Sequence, residues 1–180
     1  MNLLKLILFI IIFAIILAFA FCFIYNKIKI QILKINAAES EIDESLRIKY
    51  DLITKIISEI KQIEKDEKKF KNIDKVKDEN LSSFEFERKL IDIEREIYTI
   101  RNDNTQMQKN GTINELWYEI ISINTKIKAE EKYYNENTTI YNSLVTTYPS
   151  KLVALIMKLD EKKYFDGKDM YDENIKDFKI

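Results

Sequence analysis

An all-α chain, with an N-terminal transmembrane helix followed by an antiparallel four-helix up-and-down bundle, is the fold class that the sequence predicts. Three observations carry it: an uncharged apolar run from Leu6 to Tyr25, apolar residues recurring at three, four and seven residue steps beyond it, and only two Gly and one Pro in 180 residues. Strand-rich folds draw on Gly and Pro for their tight turns, so this scarcity leaves helices as the default.

The run LILFIIIFAIILAFAFCFIY is 20 residues long. At a rise of about 1.5 Å per residue it spans roughly 30 Å, the thickness of a bilayer hydrocarbon core. It is apolar on every side, whereas a core helix of a soluble protein is shorter or amphipathic. The run continues for five residues past Ala20, which fits an uncleaved anchor better than a signal peptide, whose apolar region gives way to a polar cleavage zone. Cys22, the only cysteine, reads as a small hydrophobe in lipid; Phe21 stands where a lipoprotein acceptor needs a small residue. Lys27, Lys29 and Lys34 outnumber Lys5 across the run, so the positive-inside rule places the following region in the cytoplasm. The domain plan is therefore an anchor at 6–25 in the lipid bilayer of the cell membrane, a helical body at 26–166 and a polar tail at 167–180.

Every charged residue except Lys5 lies beyond the anchor, as expected of helices with wide solvated faces. Ile35, Ala38, Ile42, Leu46, Ile53, Ile56, Ile60 and Ile63 form one stripe, and Phe70, Ile73 and Val76 extend it, predicting a helix over 27–77. No Gly or Pro interrupts the chain from Leu3 to past Lys77, so the anchor and this helix form one rod. Phe86, Leu90, Ile93, Ile97 and Ile100 predict a second helix over 83–101, capped by Asn80, Ser82 or Ser83. The Asn-rich segment 101–111 reads as a loop. Thr112 and Glu115 then make a capping box for a third helix over 113–148.

The third helix has the strongest periodicity. Ile113, Ile120, Ile127, Tyr134, Tyr141 and Tyr148 are spaced by seven at every step, which keeps one stripe toward partner helices. Leu116, Ile123 and Leu144 run beside it, while Glu130 and Asn137 make the middle of the seam polar; such groups fix register when paired. Pro149 ends this helix, and Pro149 or Ser150 opens a fourth over 150–163 with Leu152, Leu155, Ile156 and Leu159 as its stripe.

Composition also excludes functions. With no His there is no imidazole base, no His-dependent triad and no ExxH di-iron motif, and one Cys excludes an internal disulfide or a cysteine zinc knuckle. The 29 Lys plus Arg against 30 Asp plus Glu leave no net basic charge with which to grip nucleic acid. Glu39, Glu41, Asp43, Glu44 and Asp51 offer carboxylates, but their spacing singles out no acid and base pair. No catalytic, cofactor-binding or metal-binding residue is assigned. The pairs Tyr134-Asn135 and Tyr141-Asn142 read as a polar layer in which hydroxyls and amides satisfy each other, in preference to a ligand or peptide site between helices.

The order of these elements, with particular words, resembles the LemA family of bacterial membrane proteins. Leu46, Tyr50, Asp51, Leu52 and Ile53 match a word in the family's first helix. Tyr134, Asn135, Tyr141 and Asn142 match its two Tyr-Asn pairs; Tyr148 and Pro149 match its aromatic-Pro stop, followed by Leu152, Val153, Ala154, Tyr164 and Phe165. The chain departs at Lys49, where Arg is usual, at Thr54 in place of Pro, at Asn124 and Thr125 in place of Glu-Asn, and at Glu131, where an Arg is usual. The resemblance implies a helical bundle on a single N-terminal anchor and brings no catalytic residues.

The function expected from all this is a non-enzymatic, membrane-anchored helical bundle acting as an envelope scaffold or adaptor for protein partners. The alternative is a membrane-tethered oligomeric coiled coil, SNARE-like or a signalling rod, in which the seven-residue stripe pairs copies of the chain in a homo-oligomer. A cryptic carboxylate enzyme is the third reading. The interaction positions singled out are Tyr50, Asp51, Tyr134, Asn135, Tyr141, Asn142, Tyr148 and Pro149.

Overall fold

The computed structural model describes residues 3–64, 70 and 81–165, and the regular structure among them is helical. The helices are α1 (Leu3–Glu64), α2 (Ser83–Asp103), α3 (Thr105–Gln108), α4 (Gly111–Thr146) and α5 (Ser150–Ile156). The chain divides into two compact units, residues 1–37 with 134–164 and residues 38–133 with 165–180. Both α1 and α4 contribute to each.

The anchor and the first amphipathic helix are one uninterrupted helix of 62 residues, which the absence of Gly and Pro permits. Its two parts bury differently. From Leu3 to Ala20 every side chain is exposed. From Ile28 onward the predicted stripe goes inside: Ile35, Ala38, Ile42, Leu46, Ile53, Ile56 and Ile60 are all buried. This one helix is long and apolar enough at its N-terminal end to cross a membrane.

The expected extension to Lys77, with Ile73 and Val76, lies outside the described residues, as do Asn80 and the tail from 167. Phe70 is described, and it corrects the helical reading at that position: it is buried with φ 64°, a left-handed backbone that an α-helix does not contain.

Side-chain capping sets the starts of the later helices. Ser82 begins α2 with a full capping box, its hydroxyl accepting from the Glu85 amide while the Glu85 carboxylate accepts from the Ser82 N–H at 3.0 Å. The Ser82 N–H, and then the Ser82 hydroxyl donating at 2.8 Å, hold the Glu85 carboxyl below its ordinary pKa. The Asn-rich loop contains one helical turn, α3, because Asn104 accepts from the Gln106 and Met107 amides and caps it. For α4 the Thr112 cap gives way to Asn110, whose Oδ1 accepts from the Ile113 N–H at 3.0 Å. Two residues competed for the cap, and Asn is the stronger capping residue.

The stripe of α2 holds at Leu90, Ile93 and Ile97, and that of α4 at Ile113, Ile120, Ile127, Tyr134 and Tyr141. It fails at Tyr148, which is 71% exposed because α4 ends at Thr146 and the helical register ends with it. The fourth helix also differs from expectation. It stops at Ile156, where Lys158 takes φ 54° and the Leu159 amide bonds back to the Ala154 carbonyl at 3.1 Å, closing the last turn. Its buried face is Ser150, Val153 and Ala154, while Leu152, Leu155 and Ile156 are exposed. The small residues permit close approach, so the phase of the stripe is opposite to the one hydrophobicity alone suggests.

Candidate functional site

Within the first unit, the two Tyr-Asn pairs of α4 meet the non-helical segment 159–164 that follows α5. The Tyr141 hydroxyl donates to the Asp160 carbonyl at 2.9 Å, and the Tyr134 hydroxyl donates to the Lys163 carbonyl at 3.3 Å. Between them Asn142 makes two bonds to one residue, its Nδ2 donating to the Lys162 carbonyl and its Oδ1 accepting from the Lys162 N–H, both at 2.8 Å. Thr139 adds a bond to the Tyr164 hydroxyl at 3.4 Å.

The spacing explains why a seven-residue repeat suits this task. Seven helical residues rise about 10 Å, and the three residues from Asp160 to Lys163 cover about 10 Å when extended. Two tyrosines one heptad apart therefore meet two carbonyls three residues apart on a strap running the opposite way. Burial, and then the Asp160 carboxylate, hold the Tyr141 hydroxyl above its ordinary pKa, so it remains a donor through neutral pH.

These bonds correct the expectation that Tyr hydroxyls and Asn amides satisfy each other. For Tyr134, Tyr141 and Asn142 these bonds run to backbone groups of the strap. The polar seam position Asn137 is also paired, its Oδ1 accepting from the Gln31 amide at 3.3 Å in a buried bond. Asn135 is half-buried, and its carbonyl accepts from the Thr139 hydroxyl at 3.0 Å.

The remaining predicted positions are dispersed. Tyr50 is half-buried against Phe86, ring centroids 6.0 Å apart, and Asp51 is exposed. Tyr148 and Pro149 are exposed, with the Lys151 ammonium 5.8 Å from the Tyr148 ring.

The second unit holds a charged layer that the sequence reading missed. Lys49, 3% exposed, pairs with Glu94 at 2.8 Å, and Asn124 donates to the other Glu94 oxygen at 2.7 Å. Glu87 is buried beside Glu131, and among the described residues the Glu87 Oε2 has no hydrogen-bond partner. Burial, the hydrogen bond to Glu87 and the Glu87 charge push the Glu131 carboxyl up to about 8, against the pull of Lys128 and Lys49. At neutral pH Glu131 is thus mainly protonated, which lets the two carboxyls share one proton. A cavity of about 370 Å³ opens onto this layer, with Lys49, Glu87, Glu94 and Asn124 on its polar side and Tyr98 and Trp117 on its aromatic side.

A signal for the layer existed. Ser45 and Lys49 fall at helical steps inside the buried stripe of Ile42, Leu46 and Ile53, Glu87 stands three residues before Leu90, and Glu131 four residues after Ile127. Each is a polar residue at a position the period assigns to the interior. Ser45 is buried and donates to Glu130 at 3.1 Å, so the other polar seam position is paired as well.

No curated protein and no solved structure matches the chain. The model of the LemA family matches residues 38–177, a range that holds the charged layer, both Tyr-Asn pairs and the strap. With most of its length matched in this way, the chain belongs to the LemA family.

Proposed function

We propose that the protein is a non-enzymatic, membrane-anchored scaffold or adaptor of the cell envelope. Residues 6–25 span the bilayer, and the body, an antiparallel four-helix bundle, lies in the cytoplasm. The observation that carries this reading is the change of burial along α1. A single helix passes from a wholly exposed apolar stretch into a buried stripe, which joins the body to the bilayer without a flexible linker.

Exposed apolar side chains supply a surface for protein partners: Tyr98, Tyr118 and Ile121 are 52%, 71% and 47% exposed. Pairing of α1 and α4 through Gln31 with Asn137 and Ser45 with Glu130 within one chain favours this reading over a coiled coil between chains.

Topology and capture test it together. In a Cys22→Ala background, Ser82→Cys is expected to react with an impermeant maleimide only after permeabilisation; labelling of intact cells contradicts the cytoplasmic placement. A photo-crosslinking residue at Tyr118 is expected to yield an adduct with one defined second protein. Adducts only between copies of this chain contradict the adaptor and support the oligomeric coiled coil.

A further inference from the structure

We propose that the tip of the first unit, α5 with Tyr148 before it, is a second membrane contact that lies in the lipid interface beside the anchor. The inference rests on the reading of residues 6–25 as a membrane span. It starts from the exposed face of α5: Leu152, Leu155 and Ile156 are 53%, 61% and 69% exposed, and Tyr148 is 71% exposed. Four large apolar side chains within nine residues form a patch of the kind that marks an interaction surface.

Position along α1 identifies what covers the patch. Gln31 of α1 and Asn137 of α4 are hydrogen-bonded. From Asn137, α4 extends nine residues to its end at Thr146. On α1 burial begins at Phe21, ten residues before Gln31; Phe21 and Ile24 are half-buried and Ile28 is fully buried. The two lengths match when the helices run in opposite directions. Nine residues are about 13 Å of helix, which brings the end of α4 level with Cys22, inside the apolar run. The tip that follows is therefore level with the C-terminal end of the span.

The polar chemistry of the tip agrees with that depth. Tyr148 carries the Lys151 ammonium 5.8 Å from its ring, and on α1 Tyr25 carries the Lys29 ammonium 5.7 Å from its ring. Tyrosine with lysine is the pairing of a membrane interface, where the ring sits among headgroups and the lysine stem reaches toward phosphate. The short apolar face of α5 then enters the acyl boundary, as interfacial helices do. The buried Val153 and Ala154 face the protein.

Depth measurement tests the proposal. The full chain is placed in vesicles of phosphatidylethanolamine and phosphatidylglycerol, in a Cys22→Ala background. An environment-sensitive fluorophore is attached at Leu155→Cys, at Ile15→Cys in the anchor, or at Ile121→Cys on the second unit. Lipids carrying a quencher high on the acyl chain are expected to remove most of the emission at Leu155 and leave Ile121 bright, while a quencher deep in the bilayer removes emission at Ile15. Quenching at Ile15 with Leu155 as bright as Ile121 overturns the interfacial tip and leaves the anchor standing. An unquenched Ile15 overturns the anchor and the tip with it. Equal quenching at Leu155 and Ile121 also overturns the proposal, since lipid contact would not be particular to the tip.

Discussion

The first unit and the second unit both place polar side chains in seams that helical periodicity assigns to the interior, and they satisfy them in opposite ways. In the first, Tyr134, Tyr141 and Asn142 turn to neutral backbone groups of the 159–164 strap. In the second, Lys49, Glu87, Glu94 and Glu131 turn to one another, and among the described residues the buried Oε2 atoms of Glu87 and Glu130 find no hydrogen-bond partner. Neutral bonds to backbone fix a shape and are insensitive to pH. A layer of charges leaves a titrating group beside a cavity, and with it a contribution to stability that depends on pH.

The largest test of this contrast is Tyr141→Ala. It removes a buried ring and the bond to Asp160 together, and is expected to cost about 3–4 kcal/mol, read from chemical unfolding of the full chain in detergent. An unchanged midpoint would show that the strap is not held by the heptad tyrosines. Lys49→Ala follows at about 3 kcal/mol, because it strands Glu94 in a mostly buried site. Adding Glu94→Leu to it is expected to recover most of that loss, whereas additive losses would deny that the two residues form a pair.

How far the sequence reached is clearest at these same residues. Periodicity located the buried faces of α1, α2 and most of α4, since a 3.6-residue repeat needs no knowledge of its partner. It did not distinguish Leu155 from Val153 as the buried residue of α5, because over seven residues the period is short and the choice of face depends on neighbours. The Tyr-Asn pairs were recognised as polar core, but their partners lay in a segment with no periodicity of its own. The charged layer was visible only as exceptions within stripes. Lys49, Asn124 and Glu131, far apart in the sequence, gather at that layer.

Smaller effects sharpen the contrast. Asn142→Ala loses both bonds to Lys162 and is expected to cost about 2 kcal/mol. Glu131→Gln acts through pH. The folded carboxyl titrates near 8 against 4.5 for the free group, so its stabilising contribution is full below about pH 4.5 and is lost as pH rises through 8. The wild-type chain is therefore expected to lose stability as pH rises from 4.5 to about 8, and Glu131→Gln to flatten that slope by about 1 kcal/mol after allowance for partial solvent exposure. Asn142→Ala is expected to leave the slope untouched. The same pH dependence in wild type and Glu131→Gln would remove the titrating layer from the account.

The most direct test of the central claim, that the Tyr141-Asn142 pair is a clamp on backbone, is the hydrogen exchange of one amide. The Lys162 N–H donates to the Asn142 side chain in a segment with no helical bonds of its own. The account predicts that this amide is protected in the wild-type chain and exchanges freely in Asn142→Ala, with the α2 amides unchanged. A Lys162 amide that exchanges freely in the wild type, or stays protected without Asn142, would contradict it.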